Sequence, residues 1–251
     1  MWDDNVVVMD DRAVKAILFD LDNTLIETSR AGGVAIQKTS ELLKTTLGLD
    51  DNTIRSICYK FKQKLLHECF DPSSGISIDD VRVRHWEESI GETVGNCFTP
   101  SLPTQCYYLW KSSRLEVLCL SPEVHNLLRQ LHSRYKLLLL TNGEAQTQKE
   151  KVEAVKCEEF FDAIVIGGEH VEQKPCLSIF TLCFNMLELE AQDCVMVGDS
   201  LDTDIKGGCN AGVRATVWIN SADGAVLDGS VKPDYTIPTV LDLPDILAQL
   251  K

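Results

Sequence analysis

No run of apolar residues approaches the roughly 18 needed to cross a bilayer as a helix, and no Cys-x-x-Cys pair or neighbouring histidine pair offers metal-site spacing. A spanning helix and a zinc ribbon are therefore not expected. Positive charge is scarce: 24 Lys and Arg against 38 Asp and Glu leave a net charge of −14. That balance disfavours nonspecific attraction to nucleic acid or an anionic membrane, so neither is expected as a partner. Nothing in the sequence names a protein partner. The opening residues, MWDDNVVVMDDR, lack the basic flank and apolar stretch of a signal peptide. Internal repeats and low-complexity segments are also missing. What remains is a chain of 251 residues, 44% hydrophobic and 25% charged, enough to bury a sizeable core. Ten scattered cysteines read mostly as buried free thiols in a reducing compartment, which places the protein in the cytoplasm.

Short continuous apolar runs recur at 14–19, 137–140, 163–166, 194–197 and 215–219. Each is too short for a surface helix and suits a strand covered on both faces. Helical patterns separate the later runs, at 122–133 behind Ser121, 145–155, 175–187 and 203–211. This alternation predicts an α/β fold with a doubly wound, Rossmann-like parallel sheet. From about residue 28 to 116 the pattern changes to helices only, including 54–69 and 79–90, with interruptions at 71–75 and 98–103. The expected organisation is an α/β core formed by 1–27 and 117–251, with an inserted all-helical cap at 28–116.

Ligands of a parallel sheet bind beyond the carboxyl ends of its strands. Here those ends are polar. The first run leads into Asp20-Leu21-Asp22-Asn23-Thr24, the second into Thr141-Asn142-Gly143, and the fourth into Gly198-Asp199 and on to Asp204, while Lys174-Pro175 follows the third. Asp20, Asp22, Asp199 and Asp204 converging on one crevice would repel one another unless a cation compensates. An oxygen-only ligand set favours Mg²⁺. A metal, a lysine, a hydroxyl and the backbone N–H groups after Gly143 would cradle a phosphoryl group. Asp20 is then the candidate nucleophile, and Asp22 the acid and base for the leaving oxygen and the hydrolytic water. Taken singly, each segment reads as a turn, a helix cap or a surface charge; their placement at successive strand ends is what joins them.

At these residues the sequence resembles the haloacid-dehalogenase superfamily of phosphotransferases along essentially its whole length. Asp20-Leu-Asp22-Asn-Thr24, Thr141-Asn142, Lys174-Pro175 and Gly198-Asp199 through Asp204 match its four motifs in order. The resemblance implies nucleophilic Asp20, acid/base Asp22 and charge-neutralising Lys174. It also implies phosphate contacts from Leu21, Asp22, Thr141, Asn142, Gly143 and Lys174. Mg²⁺ would be held by Asp20, Asp22 and Asp199, with Asp204 one step removed. A helical insertion after the first motif occupies the cap position of the family. The dehalogenating members lack an aspartate at the place of Asp22, so dehalogenation is not expected.

Stretches 64–70, 85–88, 107–114, 194–199 and 215–220 further resemble the branch of that superfamily acting on acidic sugar phosphates, which implies a small-molecule sugar phosphate as substrate. The resemblance leaves open another sugar or carboxylate phosphate, a phosphomutase, or an inactive scaffold of the same fold. A carboxylate far from the phosphate calls for a cation in the cap. Arg82 is the first candidate, because Arg82, His85 and Trp86 share one face of a predicted helix. The competing assignment makes Trp86 core, His85 a surface residue and Arg82 the ion partner of Asp79.

Overall fold

The computed structural model describes residues 13–220 and 231–250. The expectation for the acidic opening segment lies outside the described residues. The sheet has six parallel strands, β1 (Ala16–Phe19), β2 (Lys136–Thr141), β3 (Ala163–Ile166), β4 (Cys194–Gly198), β5 (Ala215–Ile219) and β6 (Tyr235–Ile237), in the order β3-β2-β1-β4-β5-β6. Five match the apolar runs. The sixth, Tyr-Thr-Ile at the sheet edge, is too short to show as a hydrophobic run.

Nine α-helices are described: α1 (Thr28–Leu47), α2 (Asp51–Leu66), α3 (Ile78–Val94), α4 (Leu102–Val117), α5 (Pro122–His132), α6 (Ala145–Val155), α7 (Leu177–Leu187), α8 (Lys206–Ala211) and α9 (Leu243–Gln249). Their starts follow local chemistry. Asp50 accepts from the N–H groups of Asn52 and Thr53, Ser77 from Asp80 and Ser121 from Val124. Pro103, read from the sequence as part of an interruption, lies in the first turn of α4, where its missing N–H costs no helical bond. The expected helix at 203–211 opens differently. The N–H groups of both Asp204 and Ile205 donate to Ser200 O, at 3.0 and 3.2 Å, giving a π-type turn over Leu201–Ile205 before α8.

The chain forms two compact units. In the first, the pleat sends Ala16, Leu18, Leu138, Leu140, Cys194 and Met196 to one sheet face, where they pack with Ile179, Phe180, Cys183, Phe184 and Leu187 of α7. The alternate residues Ile17, Phe19, Leu137, Leu139, Val195 and Val197 are equally buried, so both faces are covered. The second unit comprises Glu27–Cys119 with Lys149–Val155. Its four helices α1 to α4 close a bundle around Ala35, Leu43, Ile57, Phe61, Trp86, Ile90, Cys106 and Trp110. The unit boundaries fall at 26/27 and 119/120 rather than 27/28 and 116/117, and α6 is divided between the units. Such a division follows contacts in space, which chain order does not carry. Five of the ten cysteines are buried. No helix of the described residues is long and apolar enough to cross a membrane.

Candidate active site

The strand order reverses at β1, which sends β2 to one side and has β4 on the other. At such a switch point the loops after the strands diverge and leave a crevice. Asp20 enters it directly from β1, its N–H donating to Val197 O at 2.9 Å. Its carboxylate is buried and takes two donors, Lys174 Nζ on Oδ1 at 2.8 Å and Thr24 Oγ1 on Oδ2 at 3.2 Å. The chain then turns sharply. Leu25 and Ile26 both donate to Leu21 O, Asn23 donates to Ile26 O, and Asn23 adopts a left-handed conformation with φ of 59°. Leu21 is itself fully buried, so any phosphate contact it makes falls to its main chain.

Lys174 Nζ is the hub of the site. Besides Asp20 it reaches Asp204 Oδ1 at 2.7 Å and donates to Leu140 O at 2.6 Å. Burial opposes its charge, but Asp20 and Asp204 outweigh burial and hold its proton more firmly than usual. Asp204 reaches the lysine because β4 ends in Gly198: a β-carbon there would lie 2.2 Å from Asp204 Oδ2. The same Oδ2 accepts the N–H of Ser200 at 3.0 Å.

Among the described residues, Asp20, Asp199 and Asp204 each offer an oxygen, all within 4.8 Å of one another. Three carboxylates face one ammonium, and their proton affinities record the imbalance. Burial, only partly offset by Lys174 and augmented by Asp204, pushes Asp20 up to about 6. Burial and then the charge of Asp20 push Asp199 up to about 6, against a hydrogen bond from Asn23. Burial likewise raises Asp204. A hard divalent cation with oxygen preference fits such a donor set, because it supplies the missing positive charge.

Two expected phosphate ligands are engaged otherwise. Asn142 Nδ2 donates to Lys174 O at 2.9 Å and its Oδ1 accepts the Lys174 N–H at 3.0 Å. Its carboxamide thus splints the lysine's own backbone. The N–H of Gly143 donates to Gln173 Oε1 at 2.9 Å. Gly143 itself has φ of 123°, a conformation that side-chain-bearing residues rarely adopt. Thr141 ends β2 fully buried. The sequence reading passed over Gln148, whose Nε2 donates to Asp22 Oδ2 at 3.0 Å. An uncharged residue in a helical pattern carries no local sign of this role.

In the helical unit, Arg82, His85 and Trp86 do share a face of α3. The carboxylate of Asp79 accepts from Tyr107 Oη and Lys111 Nζ, and the ion pair of Arg82 is with Glu68. Arg82 grips Glu68 through two nitrogens, Nε to Oε2 at 3.1 Å and Nη2 to Oε1 at 2.9 Å. His85 Nε2 lies 3.3 Å from Glu68 Oε2. Arg82 therefore already holds a carboxylate belonging to the chain, a pairing that spacing along the sequence did not reveal. Trp86 is fully buried and stacks on Phe61, ring centroids 3.9 Å apart.

Comparison with known proteins agrees with this geometry. The profile of the haloacid dehalogenase-like hydrolases matches residues 14–212. N-acylneuraminate-9-phosphatase of Rattus norvegicus is 47% identical over 237 residues, covering 94% of this chain and 95% of its own. The Homo sapiens enzyme of that name is 46% identical with the same coverage. Among solved structures, the Bacillus subtilis HAD-hydrolase YfnB, determined bound to magnesium, superposes with a TM-score of 0.69 at 22% identity, covering 94% of this chain and 99% of its own. With Asp20, Lys174, Asp199 and Asp204 gathered at the switch point of a parallel sheet, and a family match across most of its length, the chain belongs to the haloacid dehalogenase-like hydrolases.

Proposed function

We propose that the protein is a Mg²⁺-dependent phosphomonoesterase that releases the free sugar acid from N-acylneuraminate 9-phosphate. The chemistry is supported above all by Lys174 Nζ bridging Asp20 and Asp204 beside Asp199, a buried centre short of positive charge. The choice of substrate is supported by relatives of that activity at 46–47% identity over 94% of the chain.

Asp20 attacks phosphorus, forming an aspartyl phosphate as the P–O bond to the sugar breaks. Asp22 gives its proton to the departing sugar oxygen. It then takes a proton from the water that attacks the same phosphorus, and the Asp20–phosphorus bond breaks. Inorganic phosphate leaves, with Asp20 ionised and Asp22 protonated as at the start. Lys174 and the main chain around Leu21, Asp22 and Thr141 steady the phosphoryl oxygens, and Asn142 and Gly143 act by holding the 173–174 segment. Mg²⁺, held by Asp20, the Asp22 carbonyl and Asp199 with Asp204 behind them, would supply positive charge against the phosphoryl oxygens. Arg82 and His85 are assigned to the sugar carboxylate, which would enter in exchange for Glu68, and Trp86 stiffens the helix that carries them.

The test is phosphate release from N-acetylneuraminate 9-phosphate, compared with phosphoglycolate and a panel of hexose phosphates, in Mg²⁺. Strong preference for the sialic acid ester is expected, with Asp20→Asn at least about 10⁴-fold slower and forming no acyl phosphate. Preference for another ester would retain the chemistry and discard this substrate. Release from none would leave the inactive scaffold.

A further inference from the structure

Gln148 lies in the first turns of α6, within the α/β unit, and is only 4% exposed. Its Nε2 serves two acceptors, Asp22 Oδ2 at 3.0 Å and Asn142 O at 2.6 Å. The second is main chain just past β2, so the amide is referenced to the sheet itself. Room for it depends on Gly143, where a β-carbon would come within 2.6 Å of that nitrogen. Meanwhile Gln148 Oε1 is buried and has no hydrogen-bond partner among the described residues. An unmet buried acceptor costs stability, and an apolar side chain of similar length would avoid the cost. The amide is therefore explained by its N–H groups, and one of them ends on Asp22.

We infer that Gln148 is a positioning residue for proton transfer. By holding Oδ2 of Asp22 against the end of β2, it fixes the carboxyl so that the proton on the other oxygen, Oδ1, meets the departing ester oxygen. The inference rests on the acid role of Asp22 proposed above. The bond from Gln148 disfavours orientations of the carboxyl in which Oδ1 would face away, and orientation of a reacting group is a large part of its catalytic value.

The experiment exploits leaving groups. An alkyl phosphate must have its departing oxygen protonated, whereas p-nitrophenolate leaves without a proton. Values of kcat/KM, which cover the steps through transfer to Asp20, are measured for Gln148→Met and Gln148→Glu on both kinds of ester, taking as alkyl ester whichever sugar phosphate the wild type turns over. The first variant keeps length with no donor at all, and the second keeps shape but exchanges the two amide N–H groups for a carboxyl that cannot serve both acceptors. Expected is a loss of about 30- to 100-fold on the alkyl ester and under about 5-fold on p-nitrophenyl phosphate. Activity on p-nitrophenyl phosphate reports in the same sample that the variants are folded. Equal losses on both esters, or none on the alkyl ester, overturn the positioning role. A wild type inert on every phosphomonoester overturns the phosphatase reading itself, a separate outcome.

Discussion

The two units treat buried charge in opposite ways. In the helical unit Glu68 is nearly buried, yet its carboxyl sits below the ordinary range: burial pushes it up, and the His85 ring beside it and the two bonds from Arg82 more than reverse that. Lys111 likewise holds Asp79 and Glu150. There, charge is balanced within the unit. In the α/β unit Asp20 and Asp199 are held up near 6, because burial raises both, their carboxylate neighbours add to it, and the single lysine only partly offsets it. A folded chain that leaves such an imbalance in place has a site completed by something external, and the contrast separates the reacting centre from structural ion pairs without reference to any motif.

The largest test of that contrast is Asp22→Asn. It removes the proton donor but leaves the crowded carboxylates in place, so turnover of an alkyl phosphate should fall roughly 10²- to 10⁴-fold while Mg²⁺ affinity, followed by calorimetry, stays the same. Unchanged turnover would take Asp22 out of the mechanism.

In the helical unit, Arg82→Ala strands the Glu68 carboxylate among buried neighbours. A destabilisation of about 3 kcal/mol in urea unfolding is expected, together with a raised KM for the sialic acid ester and an unchanged KM for p-nitrophenyl phosphate. If KM for the acid sugar does not move, its carboxylate is recognised elsewhere and the Arg82–Glu68 pair is purely structural.

The smallest effect concerns pH. Asp199, ordinarily near 3.8, holds its proton up to about 6 in the folded chain. Such a group contributes stability while protonated and loses it as pH rises from about 4 through 6. In chelator this group should therefore lower the melting temperature by a few degrees between pH 5 and pH 7.5. Mg²⁺ should raise the melting temperature more at pH 7.5 than at pH 5, because ligands that are already ionised need shed no proton. Equal gains at both values would mean that the carboxylates are charged throughout.

Much of the α/β unit was legible because its signals are local. The runs at 163–166 and 215–219 coincide with β3 and β5, and 145–155 with α6. Asp20, Asp199 and Lys174 stood out by ending or following such runs. The helical unit was legible as helices but not as a site. Arg82, His85 and Trp86 fall on one face as helical spacing requires, whereas the partner of Arg82 comes from beyond α2, at Glu68, and no periodicity announces it. Gln148 and Gln173 escaped for a similar reason: neutral amides are good donors and acceptors almost anywhere, so their type does not say where they are used.

The sequence by itself determined the alternation of strand and helix, the all-helical insertion and the acidic residues waiting at strand ends, because apolar period and capping act over a few neighbouring residues. Only the tertiary structure decided that β1 lies between β2 and β4, bringing Asp20 to Asp199 and Asp204 around one lysine. It also decided that the Asn142 amide braces Lys174, and that Gln148 holds Asp22. Hydrogen bonds and ion pairs fall off within a few ångströms. Which of many competent partners meet is therefore settled by the packing of the sheet and its helices, not by their order along the chain.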